Sequence, residues 1–231
     1  MSAETPAEPG LARQVLADLR PQAFGRGSPW RIPDPIVEPL WVGVRALAAV
    51  DDGEALLVDA DGDPIEDLPA IVGSLASAAP GDRLVIDGFL TKQATRSGTG
   101  FIWPDEMPSV SRLVLGHRRS DTDATAQKEA AFAARTFTPD DDVAFVVIDL
   151  LWLDGTSLLD VPLLERRRIL EGVLFESDVV RLGAFVRPPI DRWAASWRVQ
   201  GFTGITFKAA NSRYLPGVEN PDWAVGGMPR R

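Results

Sequence analysis

Hydrophobic and polar positions along this chain follow two periods. Near the N-terminus, "LARQVLADLR" places Leu11, Val15 and Leu19 at four-residue spacing, which predicts a short helix with one apolar stripe. "PQAFGRGSPWRIPDP" reads as a loop, because Pro and Gly punctuate it throughout. From Val37 the apolar runs become short and continuous, as strands do. "VEPLWVGVRALAAV" and "EALLVDADGDPI" are joined by Asp51-Asp52-Gly53, a hairpin signal. Within the first run, Gly43 and Arg45 read as a turn able to receive a phosphate or a nucleotide. "LPAIVGSLASAA" returns to helix spacing and stops at Pro80-Gly81. "DRLVIDGFLTKQ" is a strand bent at Gly88.

The second half continues the alternation. "TPDDDVAFVVIDLLWLDG" is a strongly apolar strand closed by an Asp154-Gly155 turn. "DVPLLERRRILEGVL" predicts a helix capped by Asp160, with Pro162 in its first turn and Leu163, Leu170 and Leu174 on one face. "DVVRLGAFVRPP" and "FTGITFKAA" read as strands and "IDRWAASWRVQG" as a helix stopped by Gly201. "YLPGVENPDWAVGG" reads as a closing loop and strand. Hairpins are mixed with helices rather than arranged in repeated strand-helix units. The fold class is therefore α+β, with antiparallel sheets flanked by helices. Residues 1–35 read as an N-terminal extension and 36–231 as one domain. Within that domain, 93–142 form an irregular polar insertion carrying a helix over "ATAQKEAAFAAR".

Composition narrows the function classes. The 231 residues suffice for a buried core without covalent staples. No apolar run approaches the roughly 18 residues of a membrane span, and the acidic, Pro-rich "MSAETPAEPG" is not a secretory signal, so the expectation is a cytoplasmic protein with no membrane partner. Absence of cysteine excludes thiol catalysis, disulfides and thiolate metal sites. The net charge of -9 argues against a free-standing nucleic-acid binder, since phosphate neutralisation supplies most of such affinity; DNA binding is expected to be weak or indirect. Lysine occurs only at Lys92, Lys128 and Lys208, which limits any amine nucleophile to these three.

Candidate chemistry is sparse. Asp59, Asp61 and Asp63 alternate as calcium ligands do, but the positions that need Gly and Glu hold Pro64 and Ala70; a solvated turn fits better, and no metal site is assigned. His117 stands alone in a polar loop, with no serine on a nucleophile elbow to serve. Arg166, Arg167 and Arg168 point about 100° apart on a helix, so they read as a solvated face with one or two salt bridges. Gly43, Gly88 and Gly204 each accompany an apolar run, which suggests places where backbone bends or approaches something closely.

Four segments in order carry a resemblance over roughly residues 30–225. "EPLWVGVR" resembles E-P-K-W-D-G-V-R, and "LVIDGFL" resembles V-L-D-G-E-L. "FVVIDLLWLDG" resembles F-x-x-F-D-L-L-x-L-D-G. "GFTGITFKAANSRYLPGVENPDW" resembles G-x-E-G-V-V-A-K-x-x-x-S-x-Y-x-P-G-x-R-x-x-x-W. Together these are similar to the adenylation domain of ATP-dependent DNA ligases, relatives of the mRNA-capping nucleotidyltransferases. The resemblance implies their fold of antiparallel sheets around a nucleotide cleft, and ATP with Mg²⁺ as the family's cofactors.

The departures fall on the chemistry. Leu40 stands at the position of the family's nucleophilic lysine, and leucine has no lone pair with which to attack a phosphate. Val42 replaces the motif's aspartate, Phe89 the glutamate of D-G-E, Ile148 the base-stacking aromatic, and Thr203 the glutamate of E-G-V-V-A-K. Val225 and Gly227 stand for the two lysines of the last motif. No catalytic residue is expected. Glu38, Arg45, Phe89 and Lys208 are the vestigial nucleotide-binding positions, and no resident cofactor is expected. The chain stops at "GGMPRR", and the family's OB-fold domain is not expected. Three readings stand. One is an inactive adenylation domain that binds a complete ligase or another DNA-repair protein. Another is an active enzyme with a relocated lysine, Lys92 or Lys208. The third is a module that holds a nucleotide without reacting.

Overall fold

A computed structural model describes residues 10–92 and 143–229. The insertion at 93–142, with its expected helix, His117 and Lys128, lies outside the described residues. In chain order the elements are α1 (Leu11–Asp18), β1 (Ala23–Gly25), a 3₁₀ turn (Pro29–Arg31), β2 (Pro35–Pro39), β3 (Val44–Asp51) and β4 (Glu54–Asp59). There follow α2 (Pro69–Ala78), β5 (Leu84–Thr91), β6 (Ala144–Leu153), β7 (Thr156–Ser157), α3 (Leu163–Val173), β8 (Val180–Leu182), α4 (Asp191–Val199), β9 (Gly204–Ala209) and β10 (Glu219–Gly227). No described helix is long and apolar enough to cross a membrane.

Two sheets form. One has the order β1-β10-β9-β2; the other runs β4-β3-β5-β6-β7, with β8 also on β6. Pairing is antiparallel except for β1 on β10 and β8 on β6. The expected hairpins close on residues with positive φ: Asp52 and Gly53 between β3 and β4, Asp154 and Gly155 between β6 and β7. β5 slips register on β6 between Asp87 and Gly88, where the sequence placed its bend. One face of the larger sheet packs under α2 and α3 through Ala46, Ala48, Leu84, Ile86, Leu75 and Leu170. A second apolar cluster joins the two sheets through Ile36, Val146, Ile148, Phe207 and Trp223.

Several local expectations are corrected. The opening run is two strands in different sheets, and Arg45 lies within β3 rather than in a turn. Gly43 makes the break: its φ is +152, and a Cβ there would lie 1.9 Å from the Leu90 carbonyl oxygen. On α1 the buried stripe is Ala12 and Leu16, continued by Leu19 beyond the helix, while Leu11 is exposed; the small Ala12 lets the helix sit close on the larger sheet. The supposed loop before Val37 contains β1 and the 3₁₀ turn, because Ala23 and Phe24 find backbone partners on β10. Of "DVVRLGAFVRPP", only Val180–Leu182 is a strand, and Val186 makes an isolated bridge to Val37. Asp160 does not cap α3; it lies 3.4 Å from Arg213 on the surface, and Pro162 occupies the cap position. The acidic turn after β4 is local: Asp59 accepts the backbone N–H groups of Asp61 and Asp63 at 2.9 Å each.

The arginine run on α3 departs furthest from its reading. Arg166 and Arg167 are fully buried, and only Arg168 is solvated, paired with Glu165 at 2.6 Å. Positions 163, 166, 167, 170 and 174 form one helical stripe, so both arginines share the face of the buried leucines. Burial is possible because each guanidinium is met. Asp149 accepts Arg166 at 2.8 and 2.7 Å, and the carbonyls of Val147 and Gly183 accept Arg167.

Candidate functional site

The four-stranded sheet collects separated segments of sequence onto one face. Directly opposed residues on antiparallel strands share a face, and so do alternate residues along each strand. One row is Ile36, Lys208 and Trp223; the next is Glu38, Thr206 and Val225. A third begins at Leu40, whose N–H reaches the Gly204 carbonyl at 2.9 Å, and ends at Gly227 opposite Gly204. The first and fourth motif segments, with Val225 and Gly227 beyond them, thus meet on three neighbouring strands.

Glu38 and Lys208 sit diagonally on this face. The Lys208 ammonium donates to Glu38 Oε2 at 2.6 Å, with both side chains 1% exposed, and lies 4.2 Å from the Trp223 ring centroid. Burial pushes the Lys208 amine below its ordinary value of 10.5; Glu38 pulls it back up, while Arg167 and Arg45 push it down. Two polar atoms here have no hydrogen-bond partner: Glu38 Oε1 and the hydroxyl of Thr206, the residue opposite it. Leu40, at the nucleophile position, is 8% exposed and lies across Gly204, where a Cβ would come within 2.8 Å of Leu40 Cδ2. Ile148 belongs to the apolar cluster between the sheets.

On the facing sheet, Arg45 stands opposite Phe89 and diagonal to Asp87. Its guanidinium binds Asp87 at 2.6 and 2.5 Å and lies 4.6 Å over the Phe89 ring. Tyr214 donates its hydroxyl to Asp87 at 2.7 Å and accepts the Gln22 N–H at 3.2 Å. Burial raises the Asp87 carboxyl, against the pull of Arg45 and Tyr214. Although burial opposes it, the Asp87 charge holds Arg45 above its usual range, and guanidinium stays cationic at any accessible pH. Of the expected positions, Glu38, Leu40 and Lys208 form one cluster, and Arg45 and Phe89 another.

Sequence reasoning missed Thr206, Trp223, Gln22 and the buried arginines of α3. Strand alternation from Lys208 could have found Thr206, and the helical stripe could have found Arg166 and Arg167. Gln22 carried no signal.

The sequence comparisons agree with this convergence. The description "ATP dependent DNA ligase domain" matches residues 33–224. The chain belongs to this family. It is 30% identical over 169 residues to the DNA ligase of Methanoculleus marisnigri, a match covering 70% of this chain and 26% of that protein. It therefore spans about a quarter of that ligase's length. Its fold is similar to the ligase domain of M. tuberculosis LigD, with a TM-score of 0.65 and 22% identity over 91% of this chain and 60% of that one. It is also similar to mycobacterial DNA ligase D complexed with ATP and MES, with a TM-score of 0.59 and 22% identity over 90% and 60% of the two chains. The expected adenylation-domain fold is the one observed.

The family's Mg²⁺ does not suit the donors present. Magnesium needs oxygens free to enter an octahedral shell. Asp87 and Asp149 instead each face an arginine at hydrogen-bond distance, and Glu38 gives one of its two oxygens to Lys208. Among the described residues, no group of three or more His, Cys, Asp or Glu is placed to hold a metal ion.

Proposed function

We propose that this DNA ligase-like adenylation domain does not adenylate itself and works by binding, as a regulatory partner of a complete ligase or another DNA-repair protein in the cytoplasm. One observation carries the reading: the side chain at the nucleophile position is Leu40, seated across Gly204 and without a reactive atom. The nearest amine on that face, Lys208, is committed to Glu38 and Trp223. With Arg45 held by Asp87 and Lys208 by Glu38, little positive charge is left to organise a triphosphate. A nick-sealing assay with a complete ATP-dependent ligase tests the role. Added in stoichiometric excess, this chain should co-migrate with the ligase and alter its sealing rate. Separate migration with an unchanged rate would contradict the proposal.

A second reading has its own support. Glu38 Oε1 and the Thr206 hydroxyl are buried without partners on opposed strands. An acceptor and a hydroxyl left over in this way suit a ligand bearing N–H groups, so a nucleotide held without reaction is the alternative. Equilibrium dialysis with ATP and AMP separates the two readings, since only the alternative requires saturable uptake. A relocated lysine is the third reading. The lowered pKa of Lys208 favours it and the ion pair with Glu38 opposes it.

A further inference from the structure

We infer that residues 10–25 form a strap across the two sheets that holds the Arg45–Asp87 pair shut. The outer end of the strap is seated on the larger sheet. There α1 lies against β3 and β5, and the Ala12 N–H donates to Asp51 Oδ2 at 2.9 Å, with both residues buried. Beside it, Arg13 reaches Glu54 at 2.7 Å. Ala12, Leu16 and Leu19 share one apolar cluster with Leu47, Val85 and Tyr214. The inner end belongs to the smaller sheet, where β1 runs parallel to β10 and the Ala23 N–H donates to the Val218 carbonyl at 2.9 Å.

Gln22 stands between the two ends and is buried. Its side-chain oxygen accepts the Leu215 N–H at 2.8 Å and Asn220 Nδ2 at 2.9 Å, and Asn220 Nδ2 also donates to the Arg213 carbonyl at 2.9 Å. Its own N–H donates to the Tyr214 hydroxyl at 3.2 Å, and that hydroxyl donates to Asp87 Oδ2 at 2.7 Å. The strap thus grips Tyr214 twice, through its hydroxyl and through the backbone on either side of it. The contacts end at Arg45, whose side chain is 13% exposed and bound to Asp87. Such a buried network loosens as a unit, because each group that loses a partner carries a desolvation cost. Unseating the strap removes the Gln22 contacts, admits water to Tyr214 and Asp87, and frees the Arg45 guanidinium. A cleft residue is in this way opened or shut from the N-terminal segment. The inference does not rest on the proposed function: the strap shuts the pair whether the cleft is inert or holds a nucleotide.

Tyr214 is the one tyrosine of the chain, so tyrosinate absorbance follows this group alone. Burial and the Asp87 charge hold its phenol well above the ordinary 10.0. The full chain is titrated by absorbance and, separately, labelled with phenylglyoxal and mapped by mass spectrometry. Arg167, equally out of reach in the folded chain, serves as the internal reference for general unfolding. Gln22→Ala removes the acceptor for Leu215 and Asn220; it should bring the phenol down toward 10.0 and speed labelling of Arg45 about tenfold over Arg167, as losing one buried hydrogen bond does to a local opening. Ala12→Arg, which unseats α1 at the outer end, should do the same although Ala12 makes its hydrogen bond to Asp51 and not to Tyr214. Asp51→Ala, which removes that outer anchor, serves if Ala12→Arg does not fold. A purely structural segment would lower the urea midpoint and leave both readouts where they are. A phenol still titrating well above 10.0 in Gln22→Ala, Arg45 labelled no faster than Arg167, or both readouts unchanged by the outer-end variant would overturn the inference.

Discussion

Each sheet of this domain carries a fully buried ion pair, and the two differ in how completely they are satisfied. Asp149 on β6 and Arg166 on α3 exhaust each other: Asp149 Oδ1 also accepts the Leu150 N–H at 2.9 Å, and Arg166 also donates to the carbonyls of Val161 and Ser212. Glu38 and Lys208 share one short contact, and Glu38 Oε1 is left over beside the unpartnered Thr206 hydroxyl. A saturated pair fixes geometry and serves the fold. The Glu38–Lys208 pair keeps acceptor capacity that its own chain leaves unused. The difference separates a fully satisfied structural pair from the pair at the candidate site.

Breaking the saturated pair should have the largest effect. Arg166→Met leaves Asp149 buried without its cation and should cost about 3–5 kcal/mol, read from the urea midpoint. A loss below about 1 kcal/mol would remove the distinction between the pairs. Lys208→Met should cost less, about 2–3 kcal/mol, and adding Glu38→Gln should recover part of that loss by removing the orphaned charge.

The same residue predicts a pH signature. Lys208 titrates below its ordinary 10.5 in the folded chain, so in the window between those values the unfolded chain binds more protons. Stability contributed by this group therefore rises with pH across that window. Tyr214, held well above 10.0, acts in the opposite sense, losing stability as pH rises past that value. As the pH approaches the ordinary lysine value of 10.5 from below, urea midpoints should rise for the natural chain relative to Lys208→Met. A parallel course for both would show that burial does not depress the amine. The smallest effect belongs to the surface: Arg168→Ala, which removes the exposed pair with Glu165, should stay within about 0.5 kcal/mol by thermal melting.

The sequence announced the strands best where turn chemistry framed them, as at Asp52-Gly53 and Asp154-Gly155. It marked candidate positions by substitution, with Leu40, Val42 and Phe89 standing where a family motif needs polar atoms. What it hid depends on distant partners. Three consecutive arginines look alike until α3 is docked, when two point at a carboxylate and carbonyls and the third at water. Thr206 and Trp223 are ordinary strand residues until β9 receives β2 on one side and β10 on the other. Gln22 lies in an unpatterned stretch, and its role depends on Tyr214, far along the chain.

Incubation with α-labelled ATP and Mg²⁺ or Mn²⁺, followed by denaturing separation, tests the central claim most directly. The chain should remain unlabelled, because position 40 holds a leucine and Lys208 is already bound to Glu38. A covalent AMP label abolished by Lys92→Ala or by Lys208→Ala would contradict the account and make the protein an active nucleotidyltransferase with a displaced nucleophile.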